Sequence, residues 1–229
     1  MIRIHRAAER GHVDHGWLQA RHSFSFASWY DPRHMGVSAL RVINQDRIAG
    51  KRGFGQHPHD NMEILTYVLK GRLQHMDSMG NHAVIHAGEL QLMSAGTGVV
   101  HSEINPGDEP VELLQIWLLP NQQNPAPRYA QKQFPRLPGL HCLVAPDGSS
   151  EDTLPIRQDA RIYRGILGAG ESVQHPGCED RVIWLQMITG SVQVGDETLE
   201  AGDGAEIRQS HALMLTATQD AEFLMFDLP

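Results

Sequence analysis

Two short clusters carry the residue types that do chemistry: His57-Pro58-His59, approached through Gly53-Phe54-Gly55, and His101-Ser102-Glu103, approached through Gly96-Thr97-Gly98. In a strand, residues i and i+2 point to the same face, so each cluster offers two donors to one side of a sheet. Two such pairs on facing strands can converge on one ion. Three imidazoles and one carboxylate make a mixed nitrogen and oxygen set suited to Fe, Mn, Ni, Cu or Zn, with positions left open for water or substrate. The donor types do not choose among those metals.

The remaining histidines read as ordinary side chains. The chain has 14 in total, and His5, His12, His15, His34, His82, His86 and His141 lie in polar or turn-like contexts that suit solvated rings. His22 sits among aromatics, either lining a pocket or buried as a core histidine, and Phe24, Phe26 and Trp29 read as packing. His75 and Asp77 flank the turn-like run Ser78-Met79-Gly80-Asn81. A metallohydrolase of the H-x-H-x-D-H kind is excluded, because Asn61 and Met62 stand where Asp and His would be required. The chain has no nucleophile elbow, phosphate-binding loop or Cys-x-x-Cys pair.

The elements that must position the two clusters are strands. Ile64–Leu69, Leu113–Leu118, Val182–Met187 and Phe223–Phe226 are short, β-branched or aromatic, and closed by Gly or Pro. No stretch keeps a 3.6-residue period for three turns, so the expectation is an all-β barrel or sandwich. A Pro- and Asn-rich shift at about 120–139 predicts a linker between two domains, 1–135 and 136–229. The halves repeat one pattern. Thr66-Tyr67-Val68-Leu69-Lys70-Gly71, then Ala87-Gly88-Glu89, then Ile116-Trp117-Leu118-Leu119-Pro120 is answered by Leu185-Gln186-Met187-Ile188-Thr189-Gly190, Ala201-Gly202-Asp203 and Met225-Phe226-Asp227-Leu228-Pro229. Each half therefore reads as one β-barrel.

At 229 residues, one or two domains fit the usual roughly 100 to 200 residues each. A hydrophobic share of 41% and a charged share of 20% exclude disordered and coiled-coil classes. The net charge of −8 and the lack of any basic run argue against nucleic-acid binding. The longest strongly apolar stretch, Leu113–Leu119, is far short of the roughly 18 residues of a membrane span, and the first residues lack a signal-peptide core. Two cysteines, Cys142 and Cys178, make no disulfide framework, so the expected compartment is the cytoplasm.

The spaced residues resemble the cupin superfamily. Its first motif is matched in order by His57-Pro58-His59, Glu63 and Gly71, and its second by Gly88, Gly96, His101 and Asn105, with Ser94 for Pro and two extra residues before the histidine. Glu63 sits one residue out of the motif's register, and a one-residue shift turns a side chain to the other face of a strand. The carboxylate therefore falls to Glu103. The first half is similar more closely to the pirin branch, through His22-Ser23-Phe24-Ser25-Phe26 with Tyr30-Asp31-Pro32, His57 to Glu63, and Gln91 to Glu103.

That resemblance implies a bicupin: two consecutive cupin barrels of double-stranded β-helix, or jelly-roll, type. The N-terminal barrel (1–135) would hold one divalent transition metal on His57, His59, His101 and Glu103, with Fe(II) favoured and Mn, Ni, Cu, Co or Zn as alternatives. The C-terminal barrel (136–229) would be degenerate and metal-free, and its His175 and His211 are isolated. The implied activity is cleavage of flavonols such as quercetin at the 2,3-position with O2 and release of carbon monoxide. Glu103 would be the catalytic base for the 3-hydroxyl. The alternative is a metal-containing regulatory protein acting through protein partners. The expected partners are a flavonol-like small molecule and O2, with no nucleic acid and no membrane, and the expected state is a monomer.

Overall fold

The computed structural model describes every residue except 148, 150, 151 and 211, and leaves aside the side chains of residues 178, 179, 209 and 210. The isolated-histidine reading of His211 therefore lies outside the described residues. Among the described residues there are strands, one 3-10 turn (Ala7–Glu9) and no α-helix, as the missing helical periodicity predicts. No helix is long and apolar enough to cross a membrane. The chain divides into two compact units, residues 11–134 with 156–158, and residues 1–10 with 135–155 and 159–229.

Each unit is built from one seven-stranded and one four-stranded sheet, the two barrels that the repeat predicts and the bicupin that the resemblance implies. In the first unit the strand Glu63–Lys70 lies between Glu89–Ser94 and Val111–Leu118. In the second, Cys178–Thr189 lies between Gly204–Ser210 and Ala221–Leu228. The glycines that end these two central strands share a left-handed backbone, Gly71 at φ 81° and Gly190 at φ 69°. A side chain would be strained at either turn, which is why the repeat keeps Gly at both. The long apolar strands bury on both faces, and Ala221–Leu228 is buried at every position.

Two sequence-level boundaries shift. Strand Ile2–His5 pairs antiparallel with Gly204–Ser210, with Ile2 opposite Ile207 and His5 opposite Gly204, so the first ten residues belong with the second unit, whereas a division at 135/136 puts them in the first. Ile2 and Ile4 alternate with exposed Arg3 and pack on the second unit's core. Arg128–Gln133, inside the expected linker, is an edge strand of the first unit paired with Glu89–Ser94. Its residues are nearly all half-buried, so its polar sequence carries no strand-like alternation to be read.

Two histidines expected in solvent are buried. His5 packs edge-on against Trp184 at 4.8 Å between ring centroids, and His34 packs against Trp29 at 5.9 Å. His22 takes the core alternative: it is 4% exposed and its Nδ1 lies 2.7 Å from the Asn44 side-chain oxygen. Cys142 is a free thiol.

Candidate metal centre

The histidine clusters lie on neighbouring strands of the first unit's four-stranded sheet, whose order is Gly53–His59, Val99–Ile104, Arg72–Asp77, His82–His86. His101 stands directly opposite His57, and Val99 opposite His59. The i, i+2 spacing puts His57 and His59 on one face, and the pairing brings His101 to the same face. Their ring centroids form a triangle with sides of 4.4, 4.9 and 4.9 Å. One ring nitrogen from each of the three lies within 4.8 Å of the others.

Glu103 arrives by a bulge. After the His57–His101 pair the register shifts, so that Glu103 faces Phe54 instead of Gly55. Gly53 makes the close approach feasible: a Cβ there would sit 2.1 Å from the Glu103 carbonyl oxygen. Such bulges re-aim side chains next to functional sites. Glu103 shares one cavity wall with His57 and His59, but its nearest donor group is His101 with His75, the second set of ligand atoms that fall within 4.8 Å of one another. The carboxylate is 2% exposed and held at both oxygens. Gln115 donates to Oε2 at 2.7 Å, and the Thr66 hydroxyl lies 3.1 Å from Oε1. Each carboxylate oxygen has two lone pairs, so an acceptor position remains.

The imidazoles are prepared for a cation. His57 Nδ1 lies 2.7 Å from the Gly55 carbonyl, which accepts its N–H and turns the Nε2 lone pair outward. Nε2 of His59 and both ring nitrogens of His101 are buried without a hydrogen-bond partner among the described residues. Burial first, then the neighbouring His57, pushes His59 down to about 4. Burial and then His57, His59 and His75 push His101 down to about 3. Both rings are thus neutral at pH 7, with lone pairs that no protein donor uses. A buried polar atom without a partner is costly, and a divalent cation here would take one nitrogen from each ring, leaving the second His101 nitrogen still to be satisfied.

Glu63 is elsewhere. It is 1% exposed, accepts from Ser94 Oγ at 2.8 Å and from the Arg157 backbone N–H at 3.2 Å, and stands outside both donor groups. Burial raises its pKa against those two bonds.

His57, His59 and Glu103 line a cavity of about 540 Å³, within the roughly 300–1,000 Å³ of small-molecule sites. Trp17, Phe26, Phe54 and Trp117 supply apolar walls, and Asn44, Asp46 and Gln115 supply polar points. Phe26 meets Trp117 edge-on at 5.3 Å, and Trp117 meets His59 edge-on at 4.9 Å. Phe24, in contrast, is core at 1% exposure. Sequence reasoning missed Thr66, Gln115 and Trp117, which sit inside apolar strand runs. It also missed that His75 and Asp77, read as flanks of a turn, are buried beside His101 and Glu103. Their i, i+2 spacing was the available signal.

The pirin family signature matches residues 3–118, and the signature described as a quercetinase C-terminal cupin domain matches residues 142–228. The chain belongs to the pirin family. Pirin relatives span its whole length: a protein of Escherichia coli named quercetin 2,3-dioxygenase is 46% identical over 100% of this chain and 99% of its own. A pirin-like protein of Caulobacter vibrioides is 43% identical over 95% of each chain. The crystal structure of the bacterial pirin YhhW from Escherichia coli in complex with nickel(II) superposes with a TM-score of 0.96 at 45% identity, covering 100% of this chain and 99% of that one. That pirin structure makes metal binding a property of a close relative with the same fold.

Proposed function

We propose that this chain is a metal-dependent dioxygenase that opens flavonols such as quercetin at the 2,3-bond with O2 and releases carbon monoxide. The observation that carries the reading is the His57–His59–His101 cluster, with partnerless nitrogens on His59 and His101, beside an aromatic cavity that His57, His59 and Glu103 line. The names of relatives at 46% identity over the full chain support it. His57, His59, His101 and Glu103 would hold one divalent transition metal, Fe(II) or another of its class. When bound, such a cation supplies Lewis acidity that favours the ionised 3-hydroxyl and a route for electrons to O2.

The chain's own residues do the rest. Trp17, Phe26, Phe54 and Trp117 enclose a planar polyphenol and keep bulk water from the reacting ring. Glu103 accepts the proton of the 3-hydroxyl through a remaining lone pair, while Gln115 and Thr66 hold its carboxylate in place. The test is anaerobic and aerobic incubation of metal-loaded protein with quercetin and with its analogue lacking only the 3-hydroxyl. Quercetin should disappear only with oxygen, one carbon monoxide appearing per O2 consumed, and the analogue should persist. Turnover without oxygen, or no turnover by protein shown to hold metal, would overturn the assignment.

A further inference from the structure

Behind the imidazole triangle, on the side away from Gly53–His59, the strand Arg72–Asp77 places two more polar side chains against the same donors. His75 stands opposite Glu103 and Asp77 opposite His101, so the four side chains form a two-by-two array on one face of the sheet. The His75 and Asp77 side chains are completely buried, and His75 Nε2 lies 3.0 Å from Asp77 Oδ2.

Asp77 is saturated with donors. Its Oδ1 accepts from the backbone N–H groups of Met79 at 2.9 Å and Asn81 at 3.0 Å, and the Asn81 side-chain amide donates to Oδ2 at 2.8 Å. A carboxylate so placed can only accept, so Nε2 of His75 carries the hydrogen. In the neutral ring, Nδ1 is then a bare lone pair, and it is buried with no partner.

His101 has the complementary need. A ligating histidine nearly always donates its other ring N–H to a fixed acceptor, and neither ring nitrogen of His101 has a partner. Its ring centroid is 5.2 Å from that of His75, and a ring nitrogen of each falls within 4.8 Å of the other. Glu103, the other neighbour in that group, accepts from Gln115 and lies by the Thr66 hydroxyl, and its remaining acceptor positions are the ones assigned to the ion and the substrate.

We propose that His75 is a positioning residue of the metal centre: its Nδ1, which stands unbonded beside His101 in this structure, would accept the N–H of the non-ligating nitrogen of His101 once an ion is held, and Asp77 fixes the tautomer that leaves Nδ1 an acceptor. The pair thus extends the centre to a carboxylate–histidine–histidine–metal series. The inference rests on the metal-centre reading above and deepens it.

The test uses full-length, metal-free protein titrated with Co(II) against a competing chelator, with the Co(II) visible spectrum as second readout. His75→Asn keeps an acceptor near the place of Nδ1, whereas His75→Gln and His75→Leu do not. Co(II) affinity should stay close to wild type in His75→Asn and fall about 10- to 100-fold in the other two, with an altered spectrum. The Asn and Gln variants are both polar, so their comparison survives even if His75→Leu does not fold. Wild-type affinity in all variants, or equal loss in Asn and Gln, would overturn the role. So would a His57→Ala protein that keeps wild-type affinity, because the ion would then sit directly on His75, His101 and Glu103. Failure of wild type to take up Co(II) at all would instead sink the metal centre itself.

Discussion

Two buried glutamates in the first unit differ in what surrounds them, and that difference sorts their roles. Glu103 shares a cavity wall with His57 and His59, whereas Glu63 is tied to Ser94 and to the Arg157 backbone. Glu103→Gln should keep the fold, lower metal affinity by at least about tenfold and nearly abolish quercetin turnover. Glu63→Gln should leave metal content intact, because an amide oxygen can still accept both of its hydrogen bonds. Metal analysis of the two purified variants checks the pair, and exchanged phenotypes would reverse the ligand assignment. The histidines make a pH prediction. His59 and His101 titrate near 4 and 3 in the folded chain against 6.5 when unfolded, so at intermediate pH the unfolded state binds more protons. Their contribution to stability is complete above about 6.5 and is lost as pH falls toward about 3. The urea midpoint of metal-free protein should therefore drop between about pH 7 and about pH 4, and the His59→Asn, His101→Asn double variant should flatten that slope.

Among elements, the first strand gives the sharpest expectation. Ile2–His5 hydrogen-bonds to Gly204–Ser210, and Arg6 Nη1 and the Ala7 N–H bind the Asp203 carboxylate at 2.8 and 2.7 Å. Deleting residues 1–8 removes two half-buried isoleucines from the second unit's core and exposes a sheet edge. Loss of about 2–4 kcal/mol follows from area removed from water. Calorimetry should show that loss, while Co(II) uptake at the first unit's site should persist. Loss of metal binding with unchanged stability would contradict the partition. The bulge between His101 and Glu103 shows how an element's irregularity serves a site: it moves Glu103 from Gly55 to Phe54 while His101 stays opposite His57.

For the whole molecule, the duplication has kept sheets and turns but not donors. Both units carry seven- and four-stranded sheets, yet both groups of side chains able to hold an ion, among the described residues, lie in the first. In the second, His175 receives the Gly177 N–H on Nδ1 and stands 3.8 Å from Asp227, itself engaged by Arg181. Elemental analysis of metal-supplemented protein should thus find close to one ion per chain. Two ions, or none, would contradict the assignment.

Much of this organisation was legible in the residues themselves. Short β-branched or aromatic runs closed by Gly or Pro identify strands because strand preference and pleating are local. The His57–His59 and His101–Glu103 spacings identify shared faces for the same reason. The repeated strand–Gly pattern announces two barrels because Gly71 and Gly190 must each turn through a left-handed backbone. Tertiary structure alone decided which faces meet. Placing His101 opposite His57, moving Glu103 past Gly55 to Phe54, and burying His75 and Asp77 behind them are matters of register between strands distant in the chain. The same holds for Thr66 and Gln115, whose side chains meet Glu103 from apolar strands, and for Ile2–His5, which crosses nearly the whole sequence to find Gly204–Ser210. Local spacing determines the face a side chain takes, whereas its partner is determined by long-range pairing that collapse of the whole core selects.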